Sequence, residues 1–456
     1  MRCDALVAEI GSTTTLVNAF DGLDASPRFL AQGQAETSVL AGDVRVGLQQ
    51  AVDDLRRKLK APAFHYDRML ATSSAAGGLK MCVHGLVYDM TVRAAEAAAL
   101  GAGAVIRQTT AGKLTEEDMA LQRSIRPNLI LLAGGTDYGE RETALYNARA
   151  LLQEGVDTPV IYAGNVQNRA AVEGLFREAN RRLYVAENVY PRLDELNIES
   201  ARRLIHEAFE RHIVEAPGMS HIREMVDGAI LPTPGAVMEA AMLLYADLGD
   251  LIVLDIGGAT TDVHSVTEGS EELALISVAP EPLNKRTVEG DLGLYVNAPH
   301  LAETLGMDTL SRELSLDVRQ VLRDLRPIPE SAEQLCLTER LCLAAGCTAL
   351  TRHAGKLRHM YTPEGRRTMA EGKDCTRVQH VIGTGGALTR LPGREALLRR
   401  IADVNASSQM LLPKPGQCRL LFDNDYIMAA LGVLSREYPA AALALMKRSL
   451  SCDIPA

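Results

Sequence analysis

Two distant stretches of this sequence repeat one pattern. Val7–Val17 and Val253–Val263 align without a gap, and most of their apolar, glycine and threonine positions are the same. Each stretch has an apolar strand, an acid (Glu9 or Asp255), a glycine turn and hydroxyl residues that lead into a second strand. A repeat of this kind predicts a pseudo-symmetric protein whose halves each contribute one β-hairpin.

The residue types in the repeat suit a phosphate site. Glycine lets the backbone approach an anion closely, and successive N–H groups at a tight turn bind phosphate oxygens. A carboxylate at the end of the preceding strand can hold Mg²⁺ through water. The predicted phosphate contacts are Gly11, Ser12, Thr13 and Thr14 in the first hairpin and Gly257, Gly258, Thr260 and Thr261 in the second. For either copy alone, an ordinary hairpin with glycine for turning remains the alternative.

A third glycine-rich turn follows late in the chain. The strand His380–Ile382 leads into Gly383, Thr384, Gly385 and Gly386. After two phosphate hairpins, such a turn fits the wall that packs against a purine and its ribose. The sequence holds no Gly-x4-Gly-Lys-Ser/Thr motif that would offer a competing nucleotide site.

Composition excludes several classes of protein. At roughly 100–200 residues per domain, 456 residues correspond to about two to four domains. A net charge of −10 disfavours nucleic-acid and anionic-membrane partners, and the start of the chain does not resemble a signal peptide. Eight scattered cysteines predict reduced thiols in a cytoplasmic protein. No apolar run is long enough for a membrane span.

Strand-like and helix-like segments alternate along the chain, which predicts an α/β fold. Expected strands are Ala5–Ile10, Leu16–Phe20, Asn128–Ala133, Val160–Ala163, Leu183–Ala186, Leu251–Leu254, Val263–Val266 and His380–Ile382. Expected helices are Val44–Lys60, Thr91–Leu100, Glu140–Gly155, Ala236–Ala246, 300–325, 331–353, 424–437 and 439–450, with a polar turn region over Pro363–Cys375. The strands between residues 128 and 186 are expected to be parallel.

The order of the three turns resembles the superfamily of actin, hexokinase and heat-shock chaperone ATPases (ASKHA). The resemblance implies two ribonuclease-H-like halves around a nucleotide cleft, with an inserted α/β domain. It places a first half at residues 1–84, the insertion at 85–230, a second half at 231–423 and C-terminal connecting helices at 424–456. Pro232-Thr233 and Asn424–Gly432 resemble the starts of the two connecting helices.

A closer resemblance, to the glutamate mutase accessory family called MutL or GlmL, covers nearly the whole chain. The matching stretches are Ser73–Met81, Leu131–Asp137, Ala163–Asn165, Pro232–Pro234, Glu289–Gly293, Arg352–Gly355, Ile382–Gly386 and Asp423–Ser435. The family implies an ATPase with ATP/ADP and Mg²⁺ as cofactors. Its role would be to reactivate an adenosylcobalamin-dependent mutase or aminomutase, the implied partner.

Two departures from the superfamily pattern indicate slow, switch-like hydrolysis. The first hairpin carries Glu9 where aspartate is usual, and Leu231 stands where chaperones have a carboxylate before the proline. We hypothesise that Asp255 is the main catalytic carboxylate. Glu9 and Asp262 would support it, and Glu9 and Asp255 would hold the metal.

Other functions stay open at this point. A small-molecule kinase needs a base aligned with an acceptor hydroxyl, and none is evident beyond Asp255. A nucleotide sensor without turnover needs no base. An ATP-dependent activator of a radical dehydratase would carry an Fe–S cluster, but the spacing of Cys336, Cys342 and Cys347 matches no cluster signature, so we expect core packing there. Gly134–Asp137 is either a second ligand site or a structural turn. The sequence also leaves open which mutase is served and whether the protein forms a homo-oligomer.

Overall fold

A computed structural model describes residues 1–11, 13–39, 42–74, 79–102, 104–153, 157–193, 195–215, 218–219, 221–278, 280–362, 365–405 and 409–451. The chain divides into two compact units. One comprises residues 1–75, 217–276 and 286–456, and the other comprises 76–216 and 277–285. The four domains expected from the sequence, at residues 1–84, 85–230, 231–423 and 424–456, remain a prediction. Their boundaries follow sequence motifs, whereas the two units are defined by the compactness of the fold.

Two five-stranded sheets of the first unit share one strand order. The first sheet, in the order β10-β4-β1-β2-β3, consists of β1 (Arg2–Ile10), β2 (Thr14–Asp21), β3 (Arg28–Glu36), β4 (His65–Ser73) and β10 (Ile230–Pro232). The second, in the order β13-β12-β11-β16-β17, consists of β11 (Leu251–Ile256), β12 (Thr261–Val266), β13 (Asn284–Glu289), β16 (His380–Thr384) and β17 (Arg419–Phe422).

The shared order is the structural counterpart of the sequence repeat. In each sheet the first two strands form an antiparallel hairpin, and the fourth strand pairs parallel to the first. The fifth strand pairs parallel to the fourth. The chain is thus an α/β protein with two ribonuclease-H-like halves, as the sequence predicted.

The helices of the first unit cover these sheets. They are α1 (Val44–Lys58), α7 (Thr233–Leu248), α8 (Glu271–Ala274), α9 (Ala298–Leu305), α10 (Met307–Leu314), α11 (Val318–Arg323), α12 (Ala332–His353), α13 (Gly385–Arg390), α14 (Arg394–Ala402), α15 (Met428–Leu434) and α16 (Pro439–Ser449). A short 3-10 helix spans Ile222–Glu224. Ile252, Leu254 and Leu341 are fully buried in the core between β11 and α12. Full burial of one such side chain contributes about 1.5–3 kcal/mol.

Three sequence expectations in this unit are wrong. The helix expected over 300–325 is broken into α9, α10 and α11, because Gly306 and Ser315 adopt positive φ angles of 87° and 55°. The helix expected over 424–437 is shorter and begins at Met428. The polar turn region Pro363–Cys375 instead contains a strand. This strand, β15 (Gly365–Glu371), pairs antiparallel with β14 (Lys356–Thr362) and lacks the alternation of a half-buried strand.

The two connecting helices cross in direct backbone contact. A Cβ placed on Gly432 of α15 would lie 1.8 Å from the Ala236 carbonyl oxygen of α7. Only glycine permits this approach, because any side chain there would overlap the α7 backbone. The same helix α15 also contacts β1 and β4 of the first sheet. This crossing connects the two halves that carry the hairpins.

The second unit is a parallel five-stranded sheet in the order β6-β5-β7-β8-β9. Its strands are β5 (Lys80–Gly85), β6 (Val105–Ala111), β7 (Leu129–Leu132), β8 (Val160–Tyr162) and β9 (Leu183–Val185). Its helices are α2 (Arg93–Gly101), α3 (Glu116–Ile125), α4 (Glu142–Gln153), α5 (Arg169–Glu178) and α6 (Glu199–Glu215), with a π-helix at Tyr88–Val92 and a 3-10 helix at Val166–Asn168.

The parallel arrangement predicted for β7, β8 and β9 is confirmed. The sequence analysis missed β5, because it began this block near residue 85. It also missed β6, because the middle of that strand, Arg107–Thr110, is polar. The predicted helix end at Gly155 lies outside the described residues. Among the described residues, no helix is both long and apolar enough to cross a bilayer.

Candidate functional site

The turns of the two hairpins face each other at close range. A Cβ placed on Gly258 would lie 3.5 Å from the Thr13 hydroxyl oxygen. Both turns close in the same way. The Gly11 N–H donates to the Thr14 carbonyl at 2.9 Å, and the Gly257 N–H donates to the Thr260 carbonyl at 3.0 Å. The sequence repeat therefore becomes two matched turns that lie together, as predicted.

A loop after β13 fixes the second turn from behind. The Tyr295 N–H donates to the Gly258 carbonyl at 2.9 Å, and the Asn297 amide donates to the Ala259 carbonyl at 3.1 Å. A Cβ on Gly293 would lie 2.3 Å from Ala259, so this loop needs glycine. In the described part of the chain, no acceptor is found for the N–H groups of Gly258 and Ala259. These N–H groups are therefore available to an anion.

Thr37 fixes the first turn. Its hydroxyl donates to the Gly11 carbonyl at 2.8 Å, and its N–H donates to the Thr13 carbonyl at 3.0 Å. The hydroxyls of Thr15 and Thr37 also lie 3.0 Å apart. Sequence reasoning missed Thr37, because nothing near it in the chain marks it as a partner of the turn. Ser12, predicted as a phosphate contact, lies outside the described residues.

Glu9 and Asp255 each lie one residue before the end of the equivalent strands β1 and β11, and they are close enough to interact. Burial, followed by the nearby Asp255 and Asp423, raises the pKa of Glu9 to about 8. Burial and the nearby Asp262 raise the pKa of Asp255 to about 7, against the opposing effect of Arg286. The Glu9 side chain is 8% exposed, and its Oε2 has no hydrogen-bond partner in the structure. Two buried carboxyl groups with raised pKa values form a site that a bound cation would stabilise, because a nearby positive charge favours their ionised forms.

This donor set fits Mg²⁺ held through water. Mg²⁺ keeps several waters and is commonly bound by one or two carboxylates together with phosphate oxygens. The unpartnered Glu9 oxygen and the neighbouring Asp255 carboxylate supply that number of ligands. Among the described residues, no group of three histidine, cysteine or acidic side chains is placed to hold a metal by itself.

Asp262, predicted to support catalysis, is engaged in a buried ion pair. Its Oδ1 accepts from Arg286 Nη2 at 2.5 Å and from Nε at 3.0 Å. Its Oδ2 accepts from the Thr260 hydroxyl at 3.0 Å. Asp262 and Arg286 are 3% and 2% exposed. Nothing in the sequence marked Arg286, which lies on the neighbouring strand β13.

Two of the hydroxyls predicted to contact the nucleotide, one at the phosphates and one at the adenosine, have partners inside the fold. Thr261 is fully buried and donates to the Leu292 carbonyl at 2.8 Å. Thr384 is buried and donates to Asp423 Oδ2 at 2.9 Å. Thr14, by contrast, is half-buried at the end of the first turn.

The third turn meets the second hairpin at Asp255. Strand β16 pairs parallel to β11, with Thr384 beside Asp255 in the register. Gly385 follows with φ +80°, and a Cβ there would lie 2.5 Å from Asp255 Oδ1. Gly386 has open space around its Cβ position, whereas a Cβ on Gly383 would lie 3.1 Å from Leu388. Gly385 and Gly386 therefore border the carboxylate, and Gly383 is a packing residue.

We expect Gly385→Ala to lower the free energy of unfolding by about 2 kcal/mol or more, because alanine is strained at this φ and its methyl group would strike Asp255. Urea unfolding followed by circular dichroism measures the change. Gly386→Ala is the matched control and should change it by less than about 1 kcal/mol. Equal effects of the two variants would contradict the close contact between the third turn and Asp255.

Arg390 links the end of α13 to the first sheet. Its guanidinium donates to Gln34 Oε1 at 2.5 Å and to Gln32 Oε1 at 2.6 Å, both on β3. It also lies 5.3 Å from the centre of the Tyr426 ring. Asp423, beside this cluster, accepts the Met428 N–H at 2.9 Å at the start of α15. Sequence reasoning missed all of these side chains, because each is recruited from a separate part of the chain.

The loop Gly134–Asp137 of the second unit is built as a structural turn. The Asp137 carboxylate accepts from the Val166 N–H at 2.8 Å and from the Asn188 amide at 2.9 Å. A Cβ on Gly164 would lie 2.5 Å from the Gly134 nitrogen. The polar groups of this loop thus cross-link neighbouring loops, which favours the structural alternative.

The cysteines of α12 are only partly core residues. Cys342 is fully buried in the core, and burial raises the pKa of its thiol. Cys336 and Cys347 are half-buried, and Cys347 packs against the same core, so the expected core packing is confirmed for Cys342 and Cys347.

Comparison with known proteins gives one strong match. The family model described as "MutL protein" matches residues 5–450. Protein MutL from Clostridium tetanomorphum is similar, with 36% identity over 460 residues that cover 98% of each chain.

Solved structures are similar at lower levels. A nucleotide-free acetone carboxylase structure is 14% identical, covers 95% of this chain and 70% of that chain, and has a TM-score of 0.42. Diol dehydratase-reactivating factor in its nucleotide-free form is 10% identical, covers 95% and 99%, and has a TM-score of 0.37.

Proposed function

The chain belongs to the MutL protein family, and from that premise we propose that it is an ATP-binding, slowly hydrolysing reactivating chaperone. The protein it serves would be an adenosylcobalamin-dependent mutase, either glutamate mutase or an aminomutase. ATP, ADP and Mg²⁺ would be its ligands.

One observation carries the proposal. The two repeated turns lie against each other, with 3.5 Å between the Gly258 Cβ position and the Thr13 hydroxyl, and a pair of buried carboxyl groups stands beside them. Turn N–H groups that find no protein acceptor suit the oxygens of a polyphosphate. Carboxyl groups with raised pKa values suit the cation that accompanies it.

The residues of the site would act mainly by positioning. The N–H groups of Gly258 and Ala259 would bind phosphate oxygens, and Gly385 and Gly386 would border the adenosine. When bound, Mg²⁺ would neutralise charge on the phosphates. The Asp255 carboxylate would orient the attacking water and accept its proton. The Glu9 carboxylate would hold the metal from the side of the first hairpin. No covalent intermediate is needed.

Slow turnover is consistent with the electrostatics. Glu9 is one methylene longer than the aspartate usual in the superfamily, and its carboxyl group is buried with one oxygen unpartnered. The longer side chain places the Glu9 carboxylate at a different distance from the metal than an aspartate would. The metal-bound water is then held differently. We infer that ATP and ADP chiefly set the relative arrangement of the two halves, across the α7–α15 crossing and the Arg390 link.

Reactivation of a mutase tests the proposal. Glutamate mutase inactivated by bound cyanocobalamin is incubated with this chain, Mg-ATP and free adenosylcobalamin. We expect mutase activity to return with Mg-ATP and not with ADP. An aminomutase inactivated in the same way is tested in parallel, because the family does not specify which enzyme is served.

The outcomes separate the competing functions. Release of phosphate without an acceptor, together with recovery of either mutase, supports the proposal. Production of ADP only after a sugar or acid acceptor is added, with a phosphorylated product, would replace it with a kinase. Tight ATP binding with no turnover, even beside the mutase, would replace it with a nucleotide sensor.

A further inference from the structure

The Thr260 hydroxyl uses its proton inside the protein. It donates to Asp262 Oδ2 at 3.0 Å, and Asp262 lies directly opposite Asp255 in the register of the hairpin. A threonine hydroxyl has one proton and two lone pairs. With its proton engaged, Thr260 can offer only lone pairs to a ligand in the site.

Arg286 fixes the direction of the hydrogen bond between Thr260 and Asp262. The guanidinium donates twice to Asp262 Oδ1, and both side chains are buried. The guanidinium has only donors, so the Asp262 carboxylate oxygens act as acceptors in this pairing. The Thr260 hydroxyl therefore has to be the donor. Asp262 is a positioning residue that acts through Thr260.

We propose that the Thr260 oxygen faces the divalent cation of the bound nucleotide, directly or through one of its waters, and does not donate to phosphate. This inference rests on the proposed function and assigns one side chain of that site. A lone pair suits a cation or a water proton, whereas a phosphate oxygen needs a donor. It replaces the sequence-based assignment of Thr260 as a phosphate donor.

The first hairpin provides the natural contrast. In the repeat alignment Thr14 corresponds to Thr260, and Leu16 corresponds to Asp262. Leu16 is buried and offers no acceptor. The Thr14 hydroxyl therefore has no carboxylate acceptor at the position equivalent to Asp262. It remains able to donate to a phosphate oxygen. The two matched threonines are thus inferred to bind opposite kinds of partner.

The test compares ATP affinity with and without the cation. Calorimetry measures the dissociation constant for ATP in Mg²⁺ and in EDTA for the wild type, Thr260→Val, Thr260→Ser and Thr14→Val. Valine keeps the size of threonine and removes the hydroxyl. We expect Thr260→Val to weaken ATP binding about tenfold in Mg²⁺, the size of effect typical of groups that orient metal ligands, and not in EDTA. Thr260→Ser should behave as the wild type, and Thr14→Val should lose affinity in both conditions.

Equal loss of affinity in Mg²⁺ and in EDTA for Thr260→Val would overturn the inference, since it would mark a phosphate donor. No loss in either condition would also overturn it. Failure of the wild type to bind ATP in either condition would overturn the proposed function itself, and the inference with it. Thermal unfolding of each variant confirms that the comparison is made on folded protein.

Discussion

Asp255→Asn is expected to release phosphate from Mg-ATP at least about 100-fold more slowly than the wild-type chain, the range typical for loss of a general base. Asp255 lies next to the end of β11, where the second hairpin turn and the third turn meet, and its Oδ1 is 2.5 Å from the Cβ position of Gly385. Asparagine keeps the shape of the side chain but cannot accept a proton from water. Phosphate release is measured with Mg-ATP and no added acceptor.

The control for this variant removes a carboxylate of the same kind elsewhere. Asp308→Asn changes an exposed residue that pairs with Arg319 on the surface of the second half. It should hydrolyse ATP at the wild-type rate, because surface pairs of this kind contribute little. Wild-type turnover by Asp255→Asn would remove Asp255 from the catalytic role, and calorimetry would show whether ATP still binds.

Glu9→Gln is expected to stabilise the nucleotide-free protein at alkaline pH. The pKa of Glu9 is raised from 4.5 to about 8, mainly by burial, so the folded state binds a proton that the unfolded state has released. Between those two values the free energy of unfolding falls as pH rises. Above about pH 8 the folded protein carries the full cost of a buried charge. The raised pKa of Asp255 adds a similar loss, which is complete near pH 7.

The expected gain for Glu9→Gln is about 4–5 kcal/mol at pH 8.5 and below about 1 kcal/mol at pH 5, where Glu9 in the folded protein is protonated and resembles glutamine. Thermal unfolding without nucleotide, measured at both pH values, gives the comparison. Glu303→Gln, at an exposed position on α9, is the matched control and should show no such pH dependence. A wild-type protein whose stability rises from pH 5 to pH 8.5 would contradict the buried state of Glu9.

The two hairpins show which features can be predicted from residues that are close in the sequence. Gly11 and Gly257 both close their turns onto a threonine carbonyl three residues later, and Glu9 and Asp255 both lie one residue before the end of the preceding strand. These relations span fewer than ten residues and follow from strand and turn preferences. The same holds for the parallel strands β7, β8 and β9, whose apolar runs are bounded by helices and glycines.

The secondary-structure predictions that were wrong failed because they depend on features that the local sequence does not show. Strand β15 falls in the region expected to be a polar turn, because it carries the exposed Arg366 and Arg367 and Ala370 alone is buried among its described side chains, so the sequence shows no buried face. The helix expected over 300–325 was broken by a non-glycine residue, Ser315, in a left-handed conformation. Local preference alone does not predict such a residue, because tertiary packing overrides it.

The sequence by itself determined the α/β fold, the repeated phosphate-type turns and the acids Glu9 and Asp255, since each depends on residues that are close in the chain. The tertiary structure decided which of the similar threonines remain available to a ligand. Thr261 gives its proton to Leu292 and Thr384 gives its proton to Asp423, partners that lie far away in the sequence. Thr260 gives its proton to Asp262, whose other oxygen accepts from Arg286 on another strand. A hydroxyl group has only one proton, so its chemistry depends on which acceptor the fold brings beside it.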